Sequence, residues 1–152
     1  MDNKIKGIIP VMLTAFEDHG GIDWESQKRL TEWYLKKGSE SLFTVCQSSE
    51  MLYLDLGERA ALARFTVDVV DGRVPVIASG HVGVTLEEQI IELTKIATTG
   101  IDCLVFVTNR LDPDNLGSEH LFKTIETLKK ELPTDLPLGL YECPAPYRRL
   151  LT

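Results

Sequence analysis

Short hydrophobic runs alternate with longer segments of helical periodicity along the whole chain. Within each run the apolar residues are consecutive, which is typical of strands buried on both faces of a parallel sheet. The spacing from one run to the next is about 30 residues, the length of one βα unit. The runs that we predict to be strands are residues 7–13, 41–45, 74–78, 102–107 and 138–141.

The segments between these runs place apolar residues three and four positions apart, as an amphipathic helix does. In the first segment this spacing puts Leu30, Trp33 and Tyr34 on one side. Thr85 with Glu88 three residues later is a capping-box pattern, which marks the start of the third helix. The helices that we predict are residues 23–37, 58–70, 86–98 and 121–132.

This alternation fits two architectures, an open doubly wound sheet and a (β/α)8 barrel. A doubly wound sheet calls for a glycine-rich phosphate loop after its first strand, but residues 14–18 read TAFED. We therefore predict an α/β fold of the (β/α)8 TIM-barrel type. A full barrel takes about 250 residues, so a chain of 152 residues supplies only about the first four and a half units. No linker divides residues 1–152, and we predict a single partial domain.

Composition narrows the classes of function. The chain has 16 Lys and Arg against 23 Asp and Glu, a net charge of −7, which argues against nucleic acid and anionic membranes as partners. No apolar run approaches the ~20 residues that span a bilayer, and no signal peptide is recognisable. Cys46, Cys103 and Cys143 form no CxxC pair, so we expect free thiols and a cytoplasmic protein.

The loops after the strands carry the candidate chemistry, because ligands bind at the carboxyl ends of the strands in both architectures. Ser48 and Ser49 follow the second run, where adjacent hydroxyls and backbone amides can bind a carboxylate or an oxyanion. The alternative is that both serines only stabilise a turn. Tyr141 ends the fifth run, where its phenol could transfer protons or could simply be a core aromatic.

A metal site is a weaker alternative. Glu50, His81, Glu142 and Cys46 all lie near strand ends, but no HxH, HExxH or CxxC spacing groups them. We therefore predict neither a metal nor another cofactor, and a metal-dependent barrel enzyme is the least favoured hypothesis.

Five motifs occur in order along the chain: GIIPVMLTAF (7–16), GGIDW (20–24), CQSSE (46–50), GRVPVIA (72–78) and YECP (141–144). In this order they resemble the dihydrodipicolinate synthase/N-acetylneuraminate lyase family. That family has G-[ST]-[ST]-G-E in place of CQSSE and Y-N-x-P in place of YECP. The resemblance extends through essentially all of the chain.

The resemblance implies a barrel enzyme with lyase chemistry of the class I aldolase type on pyruvate or a related 2-oxo acid. A barrel lysine would form a Schiff base with the keto carbon, the turn hydroxyls would bind the substrate carboxylate, and the tyrosine would relay protons. Carried over by position, Gln47, Ser48 and Ser49 are substrate-binding residues, and Ser48 and Tyr141 are catalytic.

Several positions depart from the family pattern. Gln47 can form hydrogen bonds but cannot join a hydroxyl relay, and Cys46 replaces the first glycine of the motif. Arg110 and Leu111 stand where many members carry two tyrosines, and Pro146 stands where the synthases carry an arginine. These differences favour a divergent member over the lysine-pathway synthase itself.

The resemblance also implies that the Schiff-base lysine lies on a sixth strand, beyond residue 152. Every lysine of this chain falls near the N-terminus or within a predicted helix. We therefore expect the chain alone to be inactive and its parent protein to be the enzyme. The unpaired edges of a partial barrel also predict self-association into a homo-oligomer. A non-catalytic half-barrel scaffold that pairs with another half is the alternative.

Overall fold

A computed structural model describes residues 5–132, 135–143 and 148–151. The sheet has four strands, β1 (Leu42–Thr44), β2 (Val76–Ala78), β3 (Cys103–Val107) and β4 (Leu138–Tyr141). The helices are α1 (Trp24–Lys36), α2 (Leu56–Val70), α3 (Leu86–Ala97), α4 (Thr108–Leu111) and α5 (Ser118–Glu131). A short 3₁₀ turn, Gln47–Ser49, follows β1.

The strands stand in the sheet in the order in which they occur along the chain. β1 pairs with β2, β2 with β3 and β3 with β4, and every pair is parallel. A doubly wound sheet reverses its order at a switch point, whereas a (β/α)8 barrel adds each new strand on the same side. The sequential order is therefore that of a barrel, as predicted, and the doubly wound alternative is wrong.

The prediction of a regular first strand over residues 7–13 needs a correction. It forms a single parallel bridge, between Val11 and Phe43, and no regular ladder. Pro10 has no N–H to donate, so continuous pairing is interrupted. The segment nevertheless lies beside β1, since the Phe43 amide donates to the Pro10 carbonyl (3.1 Å) and the Met12 amide to the Phe43 carbonyl (2.8 Å). It occupies the place of a first barrel strand.

The two faces of the sheet carry different clusters of side chains. Leu42, Val76 and Leu104 belong to the main core, which also contains buried residues of α2, α3 and α5. The opposite, concave face carries a smaller cluster that includes Phe43 and Val105. All residues of β1, β2 and β3 are buried, which confirms the prediction made from their consecutive apolar residues.

β4 departs from that prediction. Leu138 and Leu140 are 39% and 42% exposed, although they pair with Leu104 and Phe106 on the face that the helices cover elsewhere. Among the described residues, no helix packs over this edge of the sheet to cover them. The outer face of β4 is thus an open apolar edge.

The core-facing side of α1 also differs from the predicted one. Trp33 is 52% exposed, while Gln27 and Thr31 are fully buried. Gln27 tolerates burial because its side chain accepts a hydrogen bond from the Ala15 amide (2.8 Å) and donates to the Leu13 carbonyl (3.2 Å). A polar residue that is satisfied by the incoming loop therefore replaces the expected apolar contact.

The predicted capping box of α3 is confirmed. The Glu88 amide donates to the Thr85 hydroxyl (3.2 Å), and the Thr85 amide donates to the Glu88 carboxylate (2.9 Å). None of the helices in the described part of the chain has both the length and the apolar character that a membrane crossing requires.

Candidate functional site

The turn after β1 has an unusual backbone. Val45 has φ of 49° and Glu50 has φ of 58°, on either side of the 3₁₀ turn. A positive φ at a β-branched residue such as valine is a genuine outlier and costs of order 1–3 kcal/mol. Strain of this kind is concentrated at functional sites, which is one reason to regard this turn as a candidate site.

Ser49 fixes the position of the turn. Its buried hydroxyl donates to the Met12 carbonyl (2.7 Å) and accepts from the Cys46 amide (3.2 Å). The Thr14 hydroxyl in turn donates to the Ser49 carbonyl (2.7 Å). Ser49 therefore joins the turn to the N-terminal segment, and its hydroxyl is already engaged with protein groups.

The two preceding residues are more accessible. Ser48 is exposed, and Gln47 is half-buried. The amide oxygen of Gln47 accepts a hydrogen bond from the thiol of Cys143, which lies just after β4. The sequence suggested no contact between these two residues, and nothing in their local spacing could have revealed it.

Tyr141 lies at the same end of the sheet. Its ring packs edge-on against Phe43, with ring centroids 5.6 Å apart. Phe43 is in β1 and Tyr141 in β4, and two strands separate them in the sheet. A flat sheet would hold such residues about 15 Å apart, since neighbouring strands are spaced by about 4.8 Å. The sheet is therefore strongly curled, and its concave face brings Tyr141 and the turn together.

Burial raises the pKa of the Tyr141 phenol, and the nearby thiols of Cys143 and Cys46 raise it further. Burial likewise raises the pKa of the Cys46 thiol. Both groups are consequently neutral near pH 7, so Tyr141 is a hydrogen-bond donor there. All three cysteines are free thiols, as predicted.

His81 is fully buried and is engaged through both ring nitrogens. Its Nδ1 is 3.0 Å from Oε1 of Gln89, and its Nε2 accepts from the Val107 amide (2.7 Å). Burial lowers the pKa of His81 to about 4, against smaller opposing effects of Gln89 and Glu92 and together with repulsion from Arg110 and Arg59. The ring is thus neutral with its proton on Nδ1, and it connects β2, α3 and β3.

In the described part of the chain, no three His, Cys, Asp or Glu side chains come together as a metal-ligand cluster would require. His81 has no nitrogen left for a ligand, and an oxygen of the Glu142 carboxylate accepts from the Leu151 amide (2.8 Å).

A buried ion pair shapes the loop after β2. Arg59 of α2 donates to the Glu92 carboxylate of α3 (2.8 Å) and to the Gly80 carbonyl (2.6 Å). The second carboxylate oxygen of Glu92 accepts from the amides of Val82 (2.7 Å) and Gly83 (2.8 Å). The pair therefore holds the loop of residues 80–83 against α2 and α3.

Gly80 makes this arrangement possible. Its φ is 91°, and a Cβ there would come within 2.9 Å of Ile96 and 3.1 Å of Val45. Any other residue would be strained in this conformation and would push against the core.

A second buried ion pair holds the residues after β4. Nε of Arg149 lies 2.8 Å from the carboxylate of Asp112, which also accepts from the amides of Leu116 (2.7 Å) and Gly117 (3.2 Å). Burial alone would raise the pKa of Asp112, but these amides and Arg149 hold it below its usual range. The sequence did not suggest this pair, and Arg149 is not free to bind a substrate carboxylate. Pro144 and Pro146 lie outside the described residues.

The fold defines a class of protein: part of a (β/α)8 barrel that carries a polar turn and a tyrosine at the carboxyl ends of its strands, which is where such barrels bind their ligands. Comparison with known proteins agrees. The model of the dihydrodipicolinate synthetase family matches residues 4–147. The chain belongs to this family.

The curated relatives include 4-hydroxy-tetrahydrodipicolinate synthases from two bacilli. The Bacillus velezensis enzyme is 33% identical over 142 residues, which cover 93% of this chain and 47% of that enzyme. The Bacillus subtilis enzyme is 35% identical over 135 residues, covering 88% and 44%. The chain thus spans about half the length of the curated relatives that it matches.

Solved structures give the same picture. YagE, a prophage protein of the dihydrodipicolinic acid synthase family from Escherichia coli K12 solved with pyruvate, superposes with a TM-score of 0.80 at 29% identity. The match covers 93% of this chain and 46% of YagE. The chloride-inhibited dihydrodipicolinate synthase of Acinetobacter baumannii, also complexed with pyruvate, superposes with a TM-score of 0.81 at 26% identity, covering 93% and 47%.

Proposed function

We propose that this chain contributes the carboxylate-binding turn and the proton-relay tyrosine of a lyase of the class I aldolase type that acts on pyruvate or a related 2-oxo acid. The observation that carries the proposal is the contact between opposite edges of the sheet. Phe43 touches Tyr141, and Gln47 bonds to Cys143, so the turn and the end of β4 lie next to each other. Two structurally similar family members were solved with pyruvate.

The roles follow from exposure and bonding. Ser48 is exposed on the turn, so its hydroxyl is the group best able to reach a substrate carboxylate. Gln47 can add an amide donor, since the bond to Cys143 is made by its amide oxygen. Ser49 has its hydroxyl bonded to Met12 and therefore acts by holding the turn in place.

Tyr141 is suited to donate a proton. Because burial raises its pKa, the phenol keeps its proton near neutral pH and can pass it to a substrate oxygen or carbanion. The Tyr141 phenolate would then regain a proton through a neighbouring hydroxyl. Since Gln47 stands in the first hydroxyl position of the motif, this relay would run through Ser48 or water.

The amine nucleophile would come from outside these residues. Of the lysines that the structure describes, none is on a strand: Lys6 precedes the first bridge, and the others lie in helices or at a helix end. The same proposal takes residues 1–152 as part of one barrel domain, and takes the protein to be cytoplasmic, consistent with its free thiols.

Borohydride trapping with pyruvate tests the lyase assignment. We expect no adduct on the 152-residue chain, because no described strand carries a lysine, and an adduct of one reduced pyruvate on a polypeptide extended through the sixth strand. Intact-mass spectrometry with peptide mapping measures both. Acetate in place of pyruvate is the control, since it has no keto carbon. An extended protein without an adduct on a strand lysine would contradict the assignment.

A half-barrel scaffold that self-associates is the second candidate, and the exposure of Leu138 and Leu140 on the outer face of β4 favours it. We expect sedimentation of the chain to give a mass above the monomer that grows with concentration. Replacing both leucines by glutamine should restore the monomer, while the matched change Ile91→Gln, at a 56% exposed site on α3, should not. A monomer at every concentration would rule this candidate out.

A further inference from the structure

A cavity of about 290 Å³ lies between α3, α4 and α5. None of its lining residues belongs to the turn at 46–50 or to β4. Its polar lining includes Arg110, Gln89, His120 and Asp114, and its apolar lining includes Leu86 and Leu116.

The side chain of Arg110 forms no hydrogen bond or ion pair with the described part of the chain. Its Nε is buried and forms no hydrogen bond. A partly buried guanidinium without an anion is costly, which is why such groups are normally paired. Asp112, at the C-terminal end of α4, is not available to pair with Arg110, because it is bonded to Arg149 and to two backbone amides. Glu92 is likewise committed to Arg59.

The backbone that carries Arg110 is held firmly. The buried Gln89 side chain donates to the Arg110 carbonyl (3.0 Å), and the Gln89 amide oxygen is fixed by His81 (3.0 Å). The guanidinium is therefore presented from a rigid position toward the cavity, and this arrangement is preorganised for binding.

We propose that this cavity binds a small carboxylate with a short aliphatic body, whose carboxylate pairs with Arg110. A planar guanidinium matches a carboxylate with two parallel hydrogen bonds. The volume lies near the lower end of ligand sites, roughly 300–1,000 Å³, so the ligand is small. Leu86 and Leu116 provide an apolar wall for the aliphatic part, and the Asp114 carboxylate disfavours a dianion such as phosphate.

NMR titration tests the proposal through the side-chain Nε–H signals of arginine, with 4-methylpentanoate as the probe. We expect a saturable shift of the signal that disappears in Arg110→Met. The neutral 4-methylpentanamide and inorganic phosphate should leave that signal in place. Binding by Arg110→Met, followed on backbone amides, should be weaker by about tenfold or more, the loss typical of a hydrogen bond to a charged group.

Two further variants keep the test sharp. Arg64→Met removes an exposed arginine of α2 and should bind the probe unchanged, whereas Asp114→Asn removes the competing carboxylate and should bind it more tightly. Arg110→Met should remain folded, since Arg110 bonds to no protein group through its side chain. Equal binding by wild type and Arg110→Met, or no saturable shift, overturns the proposal. Ser48→Ala separates the two sites, because it should affect pyruvate binding only.

Discussion

Replacing Arg59 by methionine should lower the free energy of unfolding by about 3–5 kcal/mol, the cost typical of leaving one partner of a buried ion pair alone. The side chains of Arg59 and Glu92 are only 5% and 10% exposed, so water cannot replace the lost partner. The Gly80 carbonyl also loses its donor. Because a domain is stable by only about 5–15 kcal/mol, the variant should unfold at a much lower urea concentration.

The chain offers a matched control for this change. Arg73 and Glu32 form the same kind of pair at 2.7 Å, but their side chains are 46% and 45% exposed. Arg73→Met should therefore change the urea midpoint little, since solvent screens a surface pair. The double variant Arg59→Met/Glu92→Leu should recover only part of the loss, because the Val82 and Gly83 amides also bond to Glu92. Equal losses for Arg59→Met and Arg73→Met would contradict the assigned role.

Acidification from pH 6.5 to pH 4 should remove about 3 kcal/mol of stability through His81 alone, at 1.36 kcal/mol for each unit of pKa difference. In the folded chain the pKa of His81 is lowered from 6.5 to about 4. Between these two pH values His81 is protonated in the unfolded chain and neutral in the folded chain. The free energy of unfolding is therefore not reduced by His81 above pH 6.5, and it falls as the pH drops from 6.5 to 4. Urea unfolding at a series of pH values measures it.

His81→Gln should flatten this pH dependence, whatever its effect on stability at pH 7. His120→Gln is the matched control, because His120 is exposed on α5 and its replacement should leave the slope unchanged. Carboxylates with lowered pKa values, such as Asp112 and Glu88, lose their contribution as the pH falls toward and below their ordinary values of 3.8 and 4.5, and this loss is the same in wild type and His81→Gln. An unchanged slope in His81→Gln would contradict the prediction.

The runs of consecutive apolar residues were enough to predict β1, β2 and β3, because a strand that is buried on both faces has apolar residues at successive positions. They failed where a local exception intervened. Pro10 breaks the pairing of the first run, and burial of Gln27 moves the core face of α1 away from Trp33. Such exceptions depend on partners that are distant in sequence, which periodicity alone does not report.

The location of the candidate site followed from strand ends, but its internal structure did not. Val45 and Glu50 have positive φ on either side of the turn, within which Ser49 is buried and Ser48 is exposed. Two adjacent serines in a sequence do not reveal this difference. The ion pairs of Arg59 and Arg149 join residues 33 and 37 positions apart. The roles of Gln47, Ser48 and Tyr141 in substrate binding and catalysis stay predictions.

The hydrogen bond from Ser49 to Met12 also has a consequence for how the site is made during folding. It joins residues 37 positions apart, so the turn reaches its final shape only once a long loop has closed. Helices α1 and α2 can each form through hydrogen bonds within the helix, whereas the turn after β1 must wait for the segment that precedes α1 to dock. We therefore expect the turn after β1 to be among the last parts of the chain to reach its native structure.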